Sequence, residues 1–262
     1  MTAEFPAWSV EDGVFPVAEE DRLRTALSAS GITVHRFRAH EFRHHPEITT
    51  ATIPRGSCYF VQSMSAEPGW PRGVFGNPED FACSSYFPRF GPRLVNHAAR
   101  FMSLGELCWT QPTLARELGG LDGTLFIRPD DGFKTFEGRL VSPAAFEDWT
   151  RQLRMLQVPM NTRIVVGPSI SLQREWRIAA IDGRAIAASE YKPRWAQGAP
   201  DGVLRFAEEC LRGADWRIRA CSVDVAQTDA GLRIVEVGSL LCVAWYEADP
   251  VQILNAVNRL LS

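Results

Sequence analysis

Two tight-turn signatures separated by a helix constrain this chain of 262 residues more than any other feature. Asp182-Gly183 lies between Leu172 to Ile181 and Arg184 to Tyr191, two runs of strand character. A central pair that tolerates positive φ between such runs marks a two-residue hairpin. Asp229-Ala230-Gly231 reads as a three-residue loop between Trp216 to Thr228 and Leu232 to Gly238, with Gly231 supplying the left-handed conformation. Between the hairpins Asp201 opens a helix whose Val203, Leu204, Ala207, Cys210 and Leu211 share a face. Antiparallel hairpins in this order exclude a doubly wound parallel sheet and point to a mixed α/β (α+β) fold.

The remaining punctuation fills in the frame. Thr124 to Ile127 is a short strand ended by Arg128-Pro129, and Arg163 to Val166 another, closed by Gly167-Pro168. Ser142-Pro143 starts a helix carrying Phe146, Trp149, Leu153 and Leu156, and Asp249-Pro250 caps a terminal helix that buries Ile253, Leu254, Val257 and Leu261. Upstream, Glu20 to Ser30 reads as a helix and Ile32 to Phe37 and Cys58 to Ser63 as strands of a smaller, loop-rich lobe. A content of 45% hydrophobic and 23% charged residues supports a sizeable core. The formal charge of −3 gives no global field toward nucleic acid or an anionic membrane. No apolar run approaches the ~20 residues of a membrane helix, and the first residues lack a secretory pattern, so the expected location is cytoplasmic. The six cysteines form no CxxC pair and read as reduced core residues, and the His40, His44 and His45 segment as a solvated loop.

Counted outward from the second turn, Asp224 falls opposite Glu236. Carboxylates facing one another on a ladder have Cβ atoms about 4.5–5.5 Å apart and repel. A cation between them resolves the conflict, and hard oxygen donors in this arrangement suit Mg²⁺ shared with phosphate oxygens. Acids splayed to solvent are the alternative. Arg128 to Arg139 is a strand end and a glycine-containing loop with cations at both ends. It is either a polyphosphate clamp or a solvated turn. Arg177 lies in an apolar strand and needs an anionic partner, whether phosphate or a neighbouring Glu175 or Glu190.

In chain order these pieces resemble an ATP-grasp domain, and within it the clade named for two arginines and one lysine in nucleotide binding. The pattern R-P-x(4)-K-x-F-x-G is met by Arg128, Pro129, Lys134, Phe136 and Gly138. E-[YW]-R ahead of a D-G turn is met by Glu175, Trp176, Arg177, Asp182 and Gly183. The acidic D-V hairpin ending in E-x-N appears as Asp224-Val225 and Glu236-Val237-Gly238, with glycine in place of asparagine. The resemblance spans roughly residues 120–262.

The resemblance implies two mixed α/β lobes gripping a nucleotide cleft, residues 120–262, preceded by a smaller N-terminal lobe, residues 1–119. It implies Arg128, Lys134 and Arg177 on ATP phosphates, Asp224 and Glu236 on Mg²⁺, and backbone groups of Val165, Val166 and Gly167 toward adenine. Gly238 leaves a second metal position to Ser239 or water, or weakly held. The implied activity joins a small-molecule or peptide carboxylate to an amine through an acyl phosphate. A phosphotransferase or a nucleotide-binding protein without turnover are the alternatives. The chain leaving Glu236 is the nearest backbone to the reacting phosphate, so Ser239, Trp245 and Tyr246 are expected to line the acceptor pocket, unless the aromatics are core residues.

Overall fold

The computed structural model describes residues 7–38, 52–65 and 74–261. The chain forms two compact units, one of Met1–Pro78 with Leu172–Ser262 and the other of Glu79–Ser171. These units cut across the expected division at residue 120. The histidine-rich segment lies outside the described residues.

The first unit begins with β1 (Ala7–Asp12), α1 (Val17–Ala29), β2 (Val34–Arg38), β3 (Thr52–Arg55) and α2 (Cys58–Ser65). The three strands are parallel in the order β2-β1-β3. Residues 58–63, expected as a strand, are helical. The Ser57 hydroxyl accepts from the Phe60 amide at 3.2 Å, and Phe60, Val61 and Met64 are buried at helical spacing. The strand position falls instead to Thr52–Arg55, where Pro54 is tolerated because β3 is an edge.

The second unit contains α3 (Cys83–Phe90), β4 (Arg100–Ser103), α4 (Leu104–Leu118), β5 (Leu125–Pro129), β6 (Arg139–Val141), α5 (Phe146–Met155) and β7 (Arg163–Pro168). Its four strands form an antiparallel sheet in the order β4-β7-β5-β6. Pairing of β4 with β7 is what ties residues ahead of 120 to this unit. Helix α4 starts with a capping box: Ser103 accepts from the Glu106 amide at 3.1 Å and donates its own amide to the Glu106 carboxylate at 2.6 Å. Trp149 and Leu153 of α5 enter a core with Leu107, Leu114, Ile127 and Ile164. Leu156, expected in that core, lies past the helix end and is exposed.

The chain then returns to the first unit with β8 (Arg174–Ile181), β9 (Arg184–Lys192), β10 (Ala196–Gln197), α6 (Asp201–Gly213), β11 (Ala220–Thr228), β12 (Gly231–Ser239) and α7 (Pro250–Leu261). The sheet is antiparallel in the order β10-β9-β8-β11-β12. Asp182 and Gly183 take φ of 49° and 72°, the two-residue turn expected from their identity. The second turn differs by one residue. Thr228 pairs with Gly231, so the loop is Asp229-Ala230 alone, and Ala226 faces Arg233 instead of Ile234. A bulge then leaves Val235 unpaired between Val225–Ile234 and Asp224–Glu236. Among the described residues no helix is long and apolar enough to cross a membrane.

Candidate active site

Four in-register residues form a row across this sheet: Ser189 on β9, Arg177 on β8, Asp224 on β11 and Glu236 on β12. Directly opposed residues share a face. Arg177 grips Asp224 with two hydrogen bonds, Nε to Oδ1 at 2.8 Å and Nη2 to Oδ2 at 2.7 Å, and its Nη1 donates to the Ala244 carbonyl at 3.0 Å. The Tyr191 hydroxyl donates to Glu175 Oε2 at 2.7 Å and lies 3.2 Å from Asp224 Oδ2. Lys192 pairs with Glu175 at 2.8 Å. Burial, and then the charges of Asp224 and Glu175, push the Tyr191 phenol well above its usual range, so it stays a neutral donor. Burial pulls the Arg177 pKa down, but the attraction and hydrogen bonds of Asp224 outweigh it, and Arg177 is more firmly protonated than a free arginine.

The partner of Arg177 is therefore Asp224, neither Glu175 nor Glu190, because β11 is the strand beside β8. The repulsion expected between Asp224 and Glu236 is relieved from within the protein, by a guanidinium on the far side of Asp224. The donor set still fits Mg²⁺. Two carboxylates stand opposite one another, and a carboxylate has about four acceptor directions, of which Arg177 uses two on Asp224. Among the described residues no group of three or more His, Cys, Asp and Glu side chains is placed to hold a metal. The two carboxylates would thus need nucleotide oxygens and water to complete a coordination shell.

At the edge of this cluster Glu190 is buried and accepts from Arg174 Nε at 3.0 Å. Hydrogen bonding to Arg174 holds its carboxyl below the ordinary 4.5. A carboxyl depressed in the folded state contributes stability that is complete above its ordinary pKa and lost as pH falls through the folded value. Glu190→Gln is accordingly expected to melt below the wild type at neutral pH, with the gap closing as the pH is taken down below the ordinary carboxyl value of 4.5. Thermal melts across that range check it.

The loop after β12 is held by a buried ion pair absent from the sequence reading. Arg55 pairs with Glu19, both buried, and its Nη1 donates to the Val243 carbonyl at 3.1 Å. The two Glu19 oxygens accept from the amides of Trp245 at 2.8 Å and Tyr246 at 2.9 Å. The guanidinium lies between the rings of Phe15 at 4.1 Å and Trp245 at 3.6 Å. Burial lowers the Arg55 pKa to about 10, which leaves it charged at neutral pH. Trp245 is only 2% exposed and its Nε1 donates to the Leu240 carbonyl at 2.9 Å. It is packed as a core aromatic, the alternative that the sequence left open. Tyr246 is different. Held at φ 52°, its ring stacks on Tyr191 at 5.1 Å and meets half-exposed Trp195 at 5.3 Å. Ser239 ends β12, and its hydroxyl accepts from the Leu241 amide at 3.3 Å.

In the second unit the loop from Asp130 to Gly138 joins paired strands β5 and β6. Asp131 accepts from the amide and hydroxyl of Thr135 at 3.2 and 2.7 Å, and Phe136 packs edge-on against Trp149 at 6.0 Å, which anchors a loop presenting exposed Lys134. Arg128 Nη1 lies 3.5 Å from the Tyr86 hydroxyl. A Cβ on Gly138 would come within 3.0 Å of Arg128 Cβ and 3.3 Å of the Phe126 ring, so the last glycine of the motif lets the returning strand pass Arg128. Gly138→Ala is expected to destabilise the protein by about 1–3 kcal/mol through that overlap, measurable by urea denaturation.

Val165 and Val166 are fully buried on β7, and both are paired on two sides, with β4 and with β5. Their backbone groups belong to the ladder and are not available to adenine, contrary to expectation. At Gly167 the β4 pairing has ended, and a Cβ there would lie 3.2 Å from Asn96 Oδ1 and from Ala99.

Residues 62–257 match the ATP-grasp domain of family 3 in the clade named for two arginines and one lysine. The chain belongs to this ATP-grasp family. The match starts well before residue 120, in α2, so much of the lobe expected to precede the ATP-grasp domain is part of the family's own sequence. No curated protein sequence matches the chain. The fold is that of several solved ATP-grasp proteins. The D-cycloserine synthetase DcsG is 15% identical, with TM-score 0.65 over 98% of this chain and 99% of that one. A RimK domain ATP-grasp protein from Sphaerobacter thermophilus is 14% identical, with TM-score 0.64 over 96% and 99%. The ATP-grasp ligase PsnB, complexed with a phosphomimetic variant of its minimal precursor, Mg and ADP, is 12% identical, with TM-score 0.56 over 100% and 99%.

Proposed function

We propose that this ATP-grasp protein is an ATP- and Mg²⁺-dependent ligase that joins a small-molecule or peptide carboxylate to an amine through an acyl phosphate. The observation that carries the reading is the row of Arg177, Asp224 and Glu236, in register on one sheet of an ATP-grasp fold. PsnB, of the same fold, is solved with Mg, ADP and a precursor, ligand classes that this row suits chemically.

A carboxylate oxygen of the substrate attacks the γ-phosphorus, and the bond to the β,γ-bridging oxygen breaks to release ADP. The amine nitrogen then attacks the acyl carbon, phosphate leaves with the former carboxylate oxygen, and the amine proton passes to phosphate or solvent. Arg177 has five N–H donors and spends three of them on Asp224 and Ala244, so two remain for phosphate oxygens without breaking its ion pair. Arg128 and Lys134 would add charge-assisted hydrogen bonds to the polyphosphate. Asp224 and Glu236 would hold Mg²⁺, which when bound neutralises charge on the transferring phosphoryl group. Gly167 remains for close approach of adenine, and Tyr246 for the acceptor side, whereas Ser239, an odd step from Glu236 on β12, points to the other face.

Release of ADP from ATP and Mg²⁺ on addition of pooled amino acids and short peptides tests the reading. Stimulation in the wild type that is lost in Glu236→Gln supports it. Nucleotide binding with no stimulated ADP release by any pool would reduce the protein to a binding module.

A further inference from the structure

Beside the pair Asp224–Glu236, two residues along both strands, Ser222 stands opposite Gly238. Residues two apart on a strand share a face, so Ser222 and Gly238 lie on the face that carries Arg177 and the two acids. Ser222 is 3% exposed, and its hydroxyl makes no hydrogen bond with any described residue. The oxygen itself is not among the sealed polar atoms that lack a partner, so water or a ligand on this face can reach it. A Cβ built on Gly238 would meet Ser222 Oγ at 3.2 Å, ahead of any other atom. The space in which a side chain at 238 would begin is therefore faced by this hydroxyl.

Resting on the proposed Mg²⁺–nucleotide site, we infer that Ser222 Oγ is a third protein oxygen of that site, donating a lone pair to a divalent cation bound with the nucleotide phosphates. It faces position 238, where the family pattern has an asparagine and this chain has glycine. Ser239 is the other hydroxyl considered for the role, but it pairs with Cys221 and so points to the opposite face from Glu236. Its oxygen also already accepts from the Leu241 amide. A hydroxyl is a weaker ligand than an amide carbonyl, but it is hard and neutral, and with two carboxylates and phosphate oxygens it suits Mg²⁺ or Mn²⁺.

The test is Mn²⁺ binding in the presence of a non-hydrolysable ATP analogue, followed by the electron paramagnetic resonance signal of free Mn²⁺, with melting of the metal-free proteins alongside. Ser222→Ala is expected to weaken Mn²⁺ binding by about tenfold, the scale on which loss of one supporting group acts at a metal site. Ser239→Ala is expected to leave it unchanged. The metal-free Ser222→Ala protein is expected to melt close to the wild type, because the hydroxyl holds no other described residue. Undiminished Mn²⁺ binding in Ser222→Ala, or a metal-free variant that melts distinctly earlier, overturns the assignment. Glu236→Gln separates the two levels. If it abolishes Mn²⁺ binding while Ser222→Ala does not, only the role of Ser222 fails; if it too leaves binding intact, the metal site fails as well.

Discussion

Arg177→Ala is expected to lower the stability of the protein by about 3–5 kcal/mol, the usual consequence of leaving one member of a buried ion pair alone. Both oxygens of Asp224 are bound by that guanidinium, and the aspartate side chain is only 6% exposed, so solvent cannot take over the compensation. The paired replacement Arg177→Met with Asp224→Leu is expected to regain most of the loss, since well-packed apolar residues often match a buried pair. Urea denaturation of the single and double variants measures both numbers. A double variant as unstable as the single one would show that the pair is not the source. Loss of nucleotide affinity in Arg177→Ala would therefore mix two effects. Arg177→Lys keeps the charge but not the planar two-point grip, and it is the better variant for isolating the phosphate contact.

Arg55→Ala is expected to have an effect of the same size, about 3–5 kcal/mol, for the same reason. Its consequences reach the proposed acceptor side directly. Arg55 and Glu19 together bind the Val243 carbonyl and the amides of Trp245 and Tyr246, the segment that offers Ala244 to Arg177 and the Tyr246 ring to Tyr191. The milder Glu19→Gln is expected to keep the fold and to speed amide hydrogen exchange at residues 245 and 246 ahead of the strands. Unchanged protection at those two amides would mean that the loop is held by something other than this pair.

What the sequence disclosed and what it hid divide along the line between local and long-range interactions. The Asp182-Gly183 turn is legible because its conformation is set by the two residues that make it. The second turn was expected one residue too long, and Asp224 nevertheless stands opposite Glu236 because the bulge at Val235 restores the count. That agreement owes as much to the bulge as to the turn. Helix α4 escaped notice because Pro112 interrupts its pattern, although its Ser103 and Glu106 form a capping box readable in the sequence. The partner of Arg177 could not be read from β8 alone, since it depends on which strand lies alongside and in what register. The Glu19–Arg55 pair spans 36 residues and reaches an amide 226 residues from Glu19, so no spacing rule could connect them. The pairing of Val165 and Val166 on both sides was hidden likewise, because β4, one of the two neighbours, was not foreseen.

The central claim is that a carboxylate is activated by phosphoryl transfer, and the fate of one oxygen tests it most directly. A substrate pool that stimulates ADP release is labelled with ¹⁸O in its carboxylates and turned over with ATP and Mg²⁺, and the released phosphate is analysed by mass spectrometry. The account predicts phosphate carrying one substrate-derived ¹⁸O, because the acyl phosphate leaves with the carboxylate oxygen. Phosphate free of label, formed at the same rate as ADP, would contradict it and place the chemistry at water.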